Sequence, residues 1–192
     1  MFPGKRAFDL AGAAAGLVCF APVMLIAAAL ILLDDGRPVL FRQTRLGRGR
    51  RAFSILKFRT MRNGRITRIG TFLRATGLDE LPQFVNILRG ELSAVGPRPI
   101  TAEDALRFGW TGPSARARWA VPPGLTGLAQ LAARSRHEAL VFDRCYRRRQ
   151  CLILDCRIVA MSFLVNLAGK SRARQLLFGR SHPGRAESSR EP

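Results

Sequence analysis

Residues 10–33 carry no formal charge, twenty-four consecutive positions in a chain otherwise dense with arginine. As a straight helix at about 1.5 Å per residue the run would be about 36 Å long, enough to cross a hydrocarbon core of about 30 Å. It is long for the apolar part of a signal peptide, although Ala27-Ala28-Ala29 imitates a cleavage site, so a retained membrane element is the expectation. Basic residues flank both ends: Lys5 and Arg6 before, then Arg37, Arg42, Arg45, Arg48, Arg50 and Arg51 after. The bias that keeps positive charge in the cytoplasm therefore asks both ends to lie on one side, which a single pass cannot satisfy. Pro22, close to the middle, removes a backbone hydrogen bond and can kink a helix so that it enters and leaves by the same face. On these residues alone, a re-entrant helix and a single-pass anchor with an incidental proline stay equally open.

The 192 residues give room for one domain with a modest core, or for a domain plus a membrane element. Thirty-two Lys and Arg against thirteen Asp and Glu leave a formal charge of +19 and a pI near 11.7. Such a balance asks for anionic partners: nucleic acid, lipid headgroups or phosphorylated substrates. The basic residues are interleaved with apolar segments along the whole chain, which suits a protein lying on a membrane better than a nucleic-acid module. One Tyr and two Trp leave little beyond phenylalanine for stacking bases, so no nucleic-acid partner is expected. Cys19 lies in the apolar run, and Cys145, Cys151 and Cys156 lack metal-ligand spacing; all four read as reduced and structural, in a cytoplasmic setting. His137 and His182 have no triad or ligand spacing and receive no role.

Acid is scarce, yet two acidic residues are adjacent in Leu78-Asp79-Glu80-Leu81-Pro82-Gln83. Helix chemistry offers one reason: acids beside a first turn favour the positive end of the dipole, and Pro82 suits the first helical position. The surroundings offer another. Arg65, Arg68, Arg74, Arg89 and Arg98 crowd the neighbouring sequence, Asn86 is polar inside an apolar segment, and Gly96-Pro97-Arg98-Pro99 reads as a rigid loop presenting Arg98. Paired carboxylates among arginines suit phosphate chemistry with a divalent metal, one acid holding Mg²⁺ against substrate phosphates while its neighbour attacks phosphorus.

Together, Leu78-Asp79-Glu80-Leu81-Pro82-Gln83, Asn86, Arg89-Gly90-Glu91 and Val95-Gly96-Pro97-Arg98-Pro99 resemble the signature of the bacterial sugar transferases, the small monotopic phosphoglycosyl transferases. Further segments carry the resemblance in the same order. Phe41-Arg42-Gln43-Thr44-Arg45-Leu46-Gly47 and Lys57-Phe58-Arg59-Thr60-Met61 match Phe-x-Gln-x-Arg-x-Gly and Lys-Phe-Arg-Thr-Met. Pro123-Gly124-Leu125-Thr126-Gly127-Leu128-Ala129-Gln130 matches Pro-Gly-x-Thr-Gly-x-Ala-Gln, Asp143 and Tyr146 keep Asp-x-x-Tyr, and Asp155-Cys156-Arg157-Ile158 resembles Asp-Leu-Lys-Ile. The chain departs from the pattern in four places. Ala21-Pro22 stands for the Ser-Pro that breaks the family's re-entrant helix, and Gly77 for a serine. Only three residues separate Met61 from Arg65, where the family usually has a longer polar loop, and Ala133-Arg134-Ser135-Arg136 replaces a Gly-Arg-Asn context.

The resemblance implies a transferase that moves a sugar-1-phosphate from a UDP-sugar donor to a polyprenyl (undecaprenyl) phosphate acceptor, the first membrane step of glycoconjugate or exopolysaccharide synthesis. By it, Asp79 attacks the β-phosphorus, UMP leaves, and the lipid phosphate resolves a phosphosugar-aspartyl enzyme. Glu80 ligates Mg²⁺, and Lys57, Arg59 and Arg98 offset phosphate charge. Gln83 and Pro97 belong to the substrate-binding motifs, and Arg134, with Arg136 as rival, contacts the nucleotide. It also favours re-entry and a catalytic domain on the cytoplasmic face of the bacterial inner membrane. The expected fold is α+β and mostly helical. A membrane helix occupies residues 1–36, a small β-hairpin and amphipathic interfacial helices surround a compact catalytic domain in residues 37–168, and a basic, disordered tail fills residues 169–192. Within the domain, residues 37–59 read as a hairpin turned at Gly47 and Gly49 that points Lys57 and Arg59 to one face, and residues 65–74 as a helix. Residues 102–118 read as a surface helix with Phe108, Trp110 and Trp119 in solvent or among headgroups, and residues 152–168 as an interfacial helix. Another membrane-bound phosphoryl-transfer enzyme and a non-enzymatic basic membrane-binding protein are the alternatives. No motif reads the sugar's hydroxyls or the oligomeric state.

Overall fold

The computed structural model describes residues 3–168. The tail expected in residues 169–192, with His182, lies outside the described residues. The apolar run forms helix α1, Lys5–Asp35, which passes through Pro22 without interruption and ends at Gly36 (φ 72°), whose N–H reaches the Leu32 carbonyl at 3.1 Å. Its buried positions are Lys5, Asp9 and Ala13, then Ala27, Ile31 and Asp35, four-residue steps that define one stripe. The opposite side exposes Val18, Leu25, Ile26 and Leu33. Among the described residues, α1 is the one helix long and apolar enough to cross a membrane.

Strands β1 (Leu40–Leu46) and β2 (Ala52–Phe58) form the expected antiparallel hairpin, Leu40 opposite Phe58 and Leu46 opposite Ala52. Two short strands follow, β3 (Met61–Arg62) and β4 (Arg65–Ile66), joined by Asn63 (φ 49°) and Gly64 (φ 76°). Two left-handed central residues make this the Asn-Gly hairpin turn, so the shortened segment after Met61 closes on itself instead of forming a loop. Helix α2 (Arg68–Thr76) is capped by Thr67, whose Oγ1 accepts from the Gly70 N–H at 3.0 Å. A 3₁₀ turn, Leu78–Glu80, leads to α3 (Gln83–Arg89). Beyond it come β5 (Ser93–Val95), α4 (Ala102–Arg107), α5 (Arg116–Trp119) and β6 (Gly124–Thr126), the last pairing parallel with β5. Helices α6 (Leu128–Ala132), α7 (Arg136–Arg149) and α8 (Leu152–Ala168) complete a mostly helical α+β fold.

Both halves of α1 rest on this one domain. Ala13 packs with Ile55, Ile87 and Leu92, while Ala27 and Ile31 pack with Phe58 and Leu73. At its N-terminal end Lys5 is buried, its Nζ 2.6 Å from Asp155 Oδ2 and 3.2 Å from Asp9 Oδ1. Asp9 Oδ1 accepts from Ser93 Oγ and the Ala94 N–H, both at 3.0 Å, and the Tyr146 hydroxyl lies 2.9 Å from Asp155 Oδ1 and the Val95 carbonyl. Burial, with Asp155 alongside, raises the Tyr146 pKa and keeps the phenol neutral. Lys5 is thus an internal ion pair that ties α1 to α8 and β5, not a flanking charge in water.

Two sequence expectations, residues 102–118 as one surface helix and the cysteines as structural, are corrected. Residues 102–118 are not one surface helix: α4 stops at Phe108, Gly109 turns left-handed (φ 67°), and Trp110 and Trp119 enter the core with Ile100 and Leu140. Arg118 is buried with them, its guanidinium 4.4 Å from the Trp110 ring and its Nη1 2.7 Å from Asp143 Oδ2. Burial lifts the Asp143 carboxyl to about 6 against the pull of Arg118. Sequence spacing alone gave no sign of this partner, twenty-five residues away. In α8, Asp155 points inward and the exposed side carries Ile153, Phe163 and Leu164, so the helix exposes an apolar face. The four cysteines are free, yet all are exposed, and none helps build the core.

Candidate active site

The acidic pair sits where α2 gives way to α3. Gly77 (φ 74°, ψ 5°) closes α2 in the left-handed conformation that glycine adopts without steric cost, and the 3₁₀ turn follows at once, with the Glu80 N–H on the Gly77 carbonyl at 3.2 Å. The glycine therefore fixes the chain beside Asp79. Pro82 (φ −60°) stands at the cap of α3, and both acids precede the first turn of that helix. They lie half-buried in the turn, open to a ligand.

Lys57, near the end of β2, puts Nζ 2.5 Å from Glu80 Oε1. Burial and the neighbouring Glu80 charge hold the Asp79 carboxyl above the usual carboxylate range, while Lys57 and Arg74 pull it down. Arg74 reaches across from α2, its Nε donating to Thr60 Oγ1 at 2.9 Å. Arg45 on β1 joins the group: burial and the nearby Arg98 lower its pKa, and Asp104 and Glu80 raise it. Its Nη2 donates to Gln43 Oε1 at 2.6 Å. The site is thus two carboxylates with Lys57, Arg74 and Arg45 around them and Arg98 beside Arg45, an arrangement suited to a polyanionic ligand.

Rigid supports hold these groups. Asn86, fully buried in α3, accepts from the Leu56 N–H at 3.0 Å and donates to the Ser54 carbonyl at 2.8 Å and Glu91 Oε2 at 2.6 Å, clamping α3 to β2. Gln83 is also buried in α3. Pro97 is buried, its carbonyl accepting from the Gly124 N–H at 2.9 Å. A Cβ on Gly124 would overlap the Gly96 nitrogen, so the Gly96-Pro97-Arg98-Pro99 loop and the segment around β6 meet backbone to backbone. Arg118 Nη2 donates to the Arg98 carbonyl, fixing the backbone from which the exposed Arg98 side chain projects.

The other basic residues expected at the site are engaged elsewhere. Arg59 Nη2 is 2.8 Å from Asp35 Oδ2 and donates to the carbonyls of Asp35 and Gly36 at 2.7 and 2.8 Å, so it satisfies the C-terminal end of α1. The same face that strand alternation predicts for Lys57 and Arg59 does not survive past Phe58, where β2 ends. Arg134 is exposed beyond α6, its backbone N–H on Glu138 Oε2 at 2.7 Å, and the Arg136 guanidinium stacks 4.2 Å from the Phe108 ring. Arg89 lies at the far end of α3. Arg45 was missed as a site residue, although the alternation Phe41, Gln43, Arg45 places it on the strand face that carries Lys57, Phe41 being directly opposite Lys57. Among the described residues no three His, Cys, Asp or Glu side chains cluster as a metal cage. A magnesium ion needs only one or two carboxylates when substrate phosphates supply further oxygens, and among the described residues Glu80 Oε2 has no partner.

A family model described as bacterial sugar transferase matches residues 2–169. The chain is 46% identical over 142 residues to the UDP-glucose:undecaprenyl-phosphate glucose-1-phosphate transferase of Caulobacter vibrioides, covering 66% of this chain and 53% of that protein. It is 37% identical over 184 residues to the exopolysaccharide production protein PSS of Rhizobium leguminosarum bv. phaseoli, covering 81% and 90%. It is 32% identical over 189 residues to the UDP-glucose:undecaprenyl-phosphate glucose-1-phosphate transferase of Escherichia coli K12, covering 87% and 41%. The chain therefore spans about half the length of the Caulobacter protein and nearly all of the Rhizobium one. Matched over almost its whole described length, this protein belongs to the bacterial sugar transferase family.

Proposed function

We propose that the protein transfers a sugar-1-phosphate from a UDP-sugar to undecaprenyl phosphate, initiating an exopolysaccharide or related glycoconjugate on the cytoplasmic face of the inner membrane. The observation that carries this reading is the half-buried Asp79-Glu80 turn flanked by Lys57, Arg74 and Arg45, with Arg98 beside Arg45. An Asp79 carboxylate oxygen attacks the β-phosphorus of the donor. The bond from that phosphorus to the bridging oxygen breaks, UMP leaves with the electron pair, and an aspartyl phosphosugar forms. A phosphate oxygen of the lipid then attacks the same phosphorus, giving the sugar diphospholipid and restoring the Asp79 carboxylate. Lys57 and Arg98 stabilise charge on the transferring phosphoryl group, and Arg45 supports Arg98 and Glu80 from β1. Glu80 would hold Mg²⁺, which when bound offsets diphosphate charge.

Membrane association follows from the apolar outward face of α1. Both ends of α1 dock on the same domain, which supports a path that enters and leaves on the cytoplasmic side. Cysteines placed at Ala7 and Asp34, in a chain with the native cysteines replaced by serine, should both react with an impermeant maleimide from the cytoplasmic side. Reaction of the two from opposite sides contradicts re-entry.

Activity is tested in vesicles with undecaprenyl phosphate, Mg²⁺ and a panel of UDP-sugars that includes UDP-glucose. Equal release of UMP and sugar diphospholipid is expected, with Asp79→Asn slower by at least about 10³-fold. Release of free phosphosugar without lipid would replace this reading with a hydrolytic one.

A further inference from the structure

At the opposite end of β2 and α3 from the acidic pair lies a second basic site. A cavity of about 600 Å³ is lined by Arg48 and Arg51 of the β1–β2 loop, Phe53 of β2, and Arg89, Gly90 and Glu91 after α3. Phe53 is four residues from Lys57, about 13 Å along the strand, so the cavity shares no wall residue with the acidic pair. The loop is held in a tight arc by the Gly47 N–H on the Arg51 carbonyl at 2.7 Å, with Arg50 left-handed at φ 64°. A non-glycine residue in that conformation is uncommon and costs energy that the surrounding structure must offset. The three arginines form no ion pair among the described residues, and the single lining acid, Glu91, has its Oε2 on Asn86 Nδ2. Three unpaired guanidinium groups beside one carboxylate already hydrogen-bonded leave a strongly positive cavity that suits a phosphate oxygen set.

Its position names the source of that phosphate. Arg6 on α1 donates to the Ile87 and Leu88 carbonyls at 2.6 and 2.8 Å and reaches the edge of Gly90. One turn further along α1, Leu10 is exposed, and Leu88 is exposed next to Arg89. The rim therefore adjoins exposed apolar side chains continuous with the outward face of α1. We propose that this cavity binds the phosphate of an anionic phospholipid headgroup, fixing how the domain sits on the membrane. The proposal rests on membrane docking by α1 but not on the transfer reaction.

The test measures partitioning of the full chain onto vesicles of phosphatidylcholine alone and of equimolar phosphatidylcholine and phosphatidylglycerol. The variant Arg48→Ala/Arg51→Ala/Arg89→Ala should lose about fivefold per arginine, about a hundredfold in all, on the mixed vesicles, and little on phosphatidylcholine alone. A charge-matched control, Arg144→Ala/Arg147→Ala/Arg148→Ala on exposed positions of α7, should lose far less. Replacement of the three cavity arginines by lysine should restore much of the binding. Equal losses in the cavity variant and the control would overturn the site, because only net charge would then matter. Unchanged partitioning, with calorimetric binding of inorganic phosphate to the wild type that the cavity variant lacks, would overturn the lipid assignment in favour of a soluble phosphate. Failure of the wild type on both vesicles would contradict docking by α1 and leave catalysis in detergent untouched.

Discussion

Asn86 offers the sharpest test of how the site is held. It is fully buried and makes three hydrogen bonds that join β2, which carries Lys57, to α3, which follows Glu80. Truncation to alanine strands the buried Leu56 N–H, a loss of about 1–3 kcal/mol, and removes a bond to the charged Glu91 worth about 1.5–3 kcal/mol. Ser54 is exposed, so water can satisfy its carbonyl at little cost. The sum is about 2.5–6 kcal/mol, a large share of the 5–15 kcal/mol that ordinarily separates folded from unfolded chains. Asn86→Asp separates hydrogen bonding from volume: it is nearly isosteric, yet it replaces the donor with a carboxylate facing Glu91 Oε2 across 2.6 Å. Asp should therefore be at least as damaging as Ala at neutral pH. It should recover as falling pH protonates one of the facing pair, since like charge and burial both raise their pKa values. Denaturant midpoints in detergent at several pH values, at constant slope, give the comparison. A cost below about 1 kcal/mol for Ala, or an Asp variant more stable than Ala at neutral pH, refutes the clamp.

Further outcomes follow from the same geometry. Burial and Glu80 raise the Asp79 carboxyl, and the proposed attack needs it ionised, so the acid limb of kcat/KM should lie above the ordinary aspartate value near 3.9. Lys57→Met removes a charge that lowers this pKa and should move the limb to still higher pH; a limb at or below the ordinary value counts against Asp79. Gly77→Ala forces a Cβ into a left-handed position at about 1–2 kcal/mol, read as a lower Tm together with reduced transfer, because the acidic turn starts there. Asp143→Asn leaves the buried Arg118 uncompensated and should cost about 3–5 kcal/mol, whereas Arg118→Met with Asp143→Leu should cost clearly less in the same melting assay.

Much of this was legible because local chemistry and final position coincide. The hairpin of β1 and β2 could be read from alternation and glycines, and the Asp79-Glu80 turn from acid followed by proline, since both depend on neighbours in sequence. The uncharged run gave α1, but not that Lys5 and Asp35 at its ends would turn inward, because their partners Asp155 and Arg59 come from distant segments. Crowding in sequence also misled: of the five arginines flanking the pair, Arg74 acts on Asp79 and Arg98 lies beside Arg45, while Arg89 is carried to the far end of α3. Trp110 and Trp119 looked like interfacial anchors until Gly109 broke the helix and folded both around Arg118. Asn-Gly at residues 63–64 was a readable hairpin signal that length comparison obscured.

In the proposed mechanism Asp79 carries the phosphosugar between donor and lipid. Mass spectrometry of the purified protein, incubated with Mg²⁺ and UDP-sugars in the absence of lipid, tests it most directly. A phosphosugar adduct should map to Asp79, be absent from Asp79→Asn, and disappear when undecaprenyl phosphate is added. Formation of sugar diphospholipid with no adduct on any residue, even when the reaction is trapped before lipid addition, would contradict it.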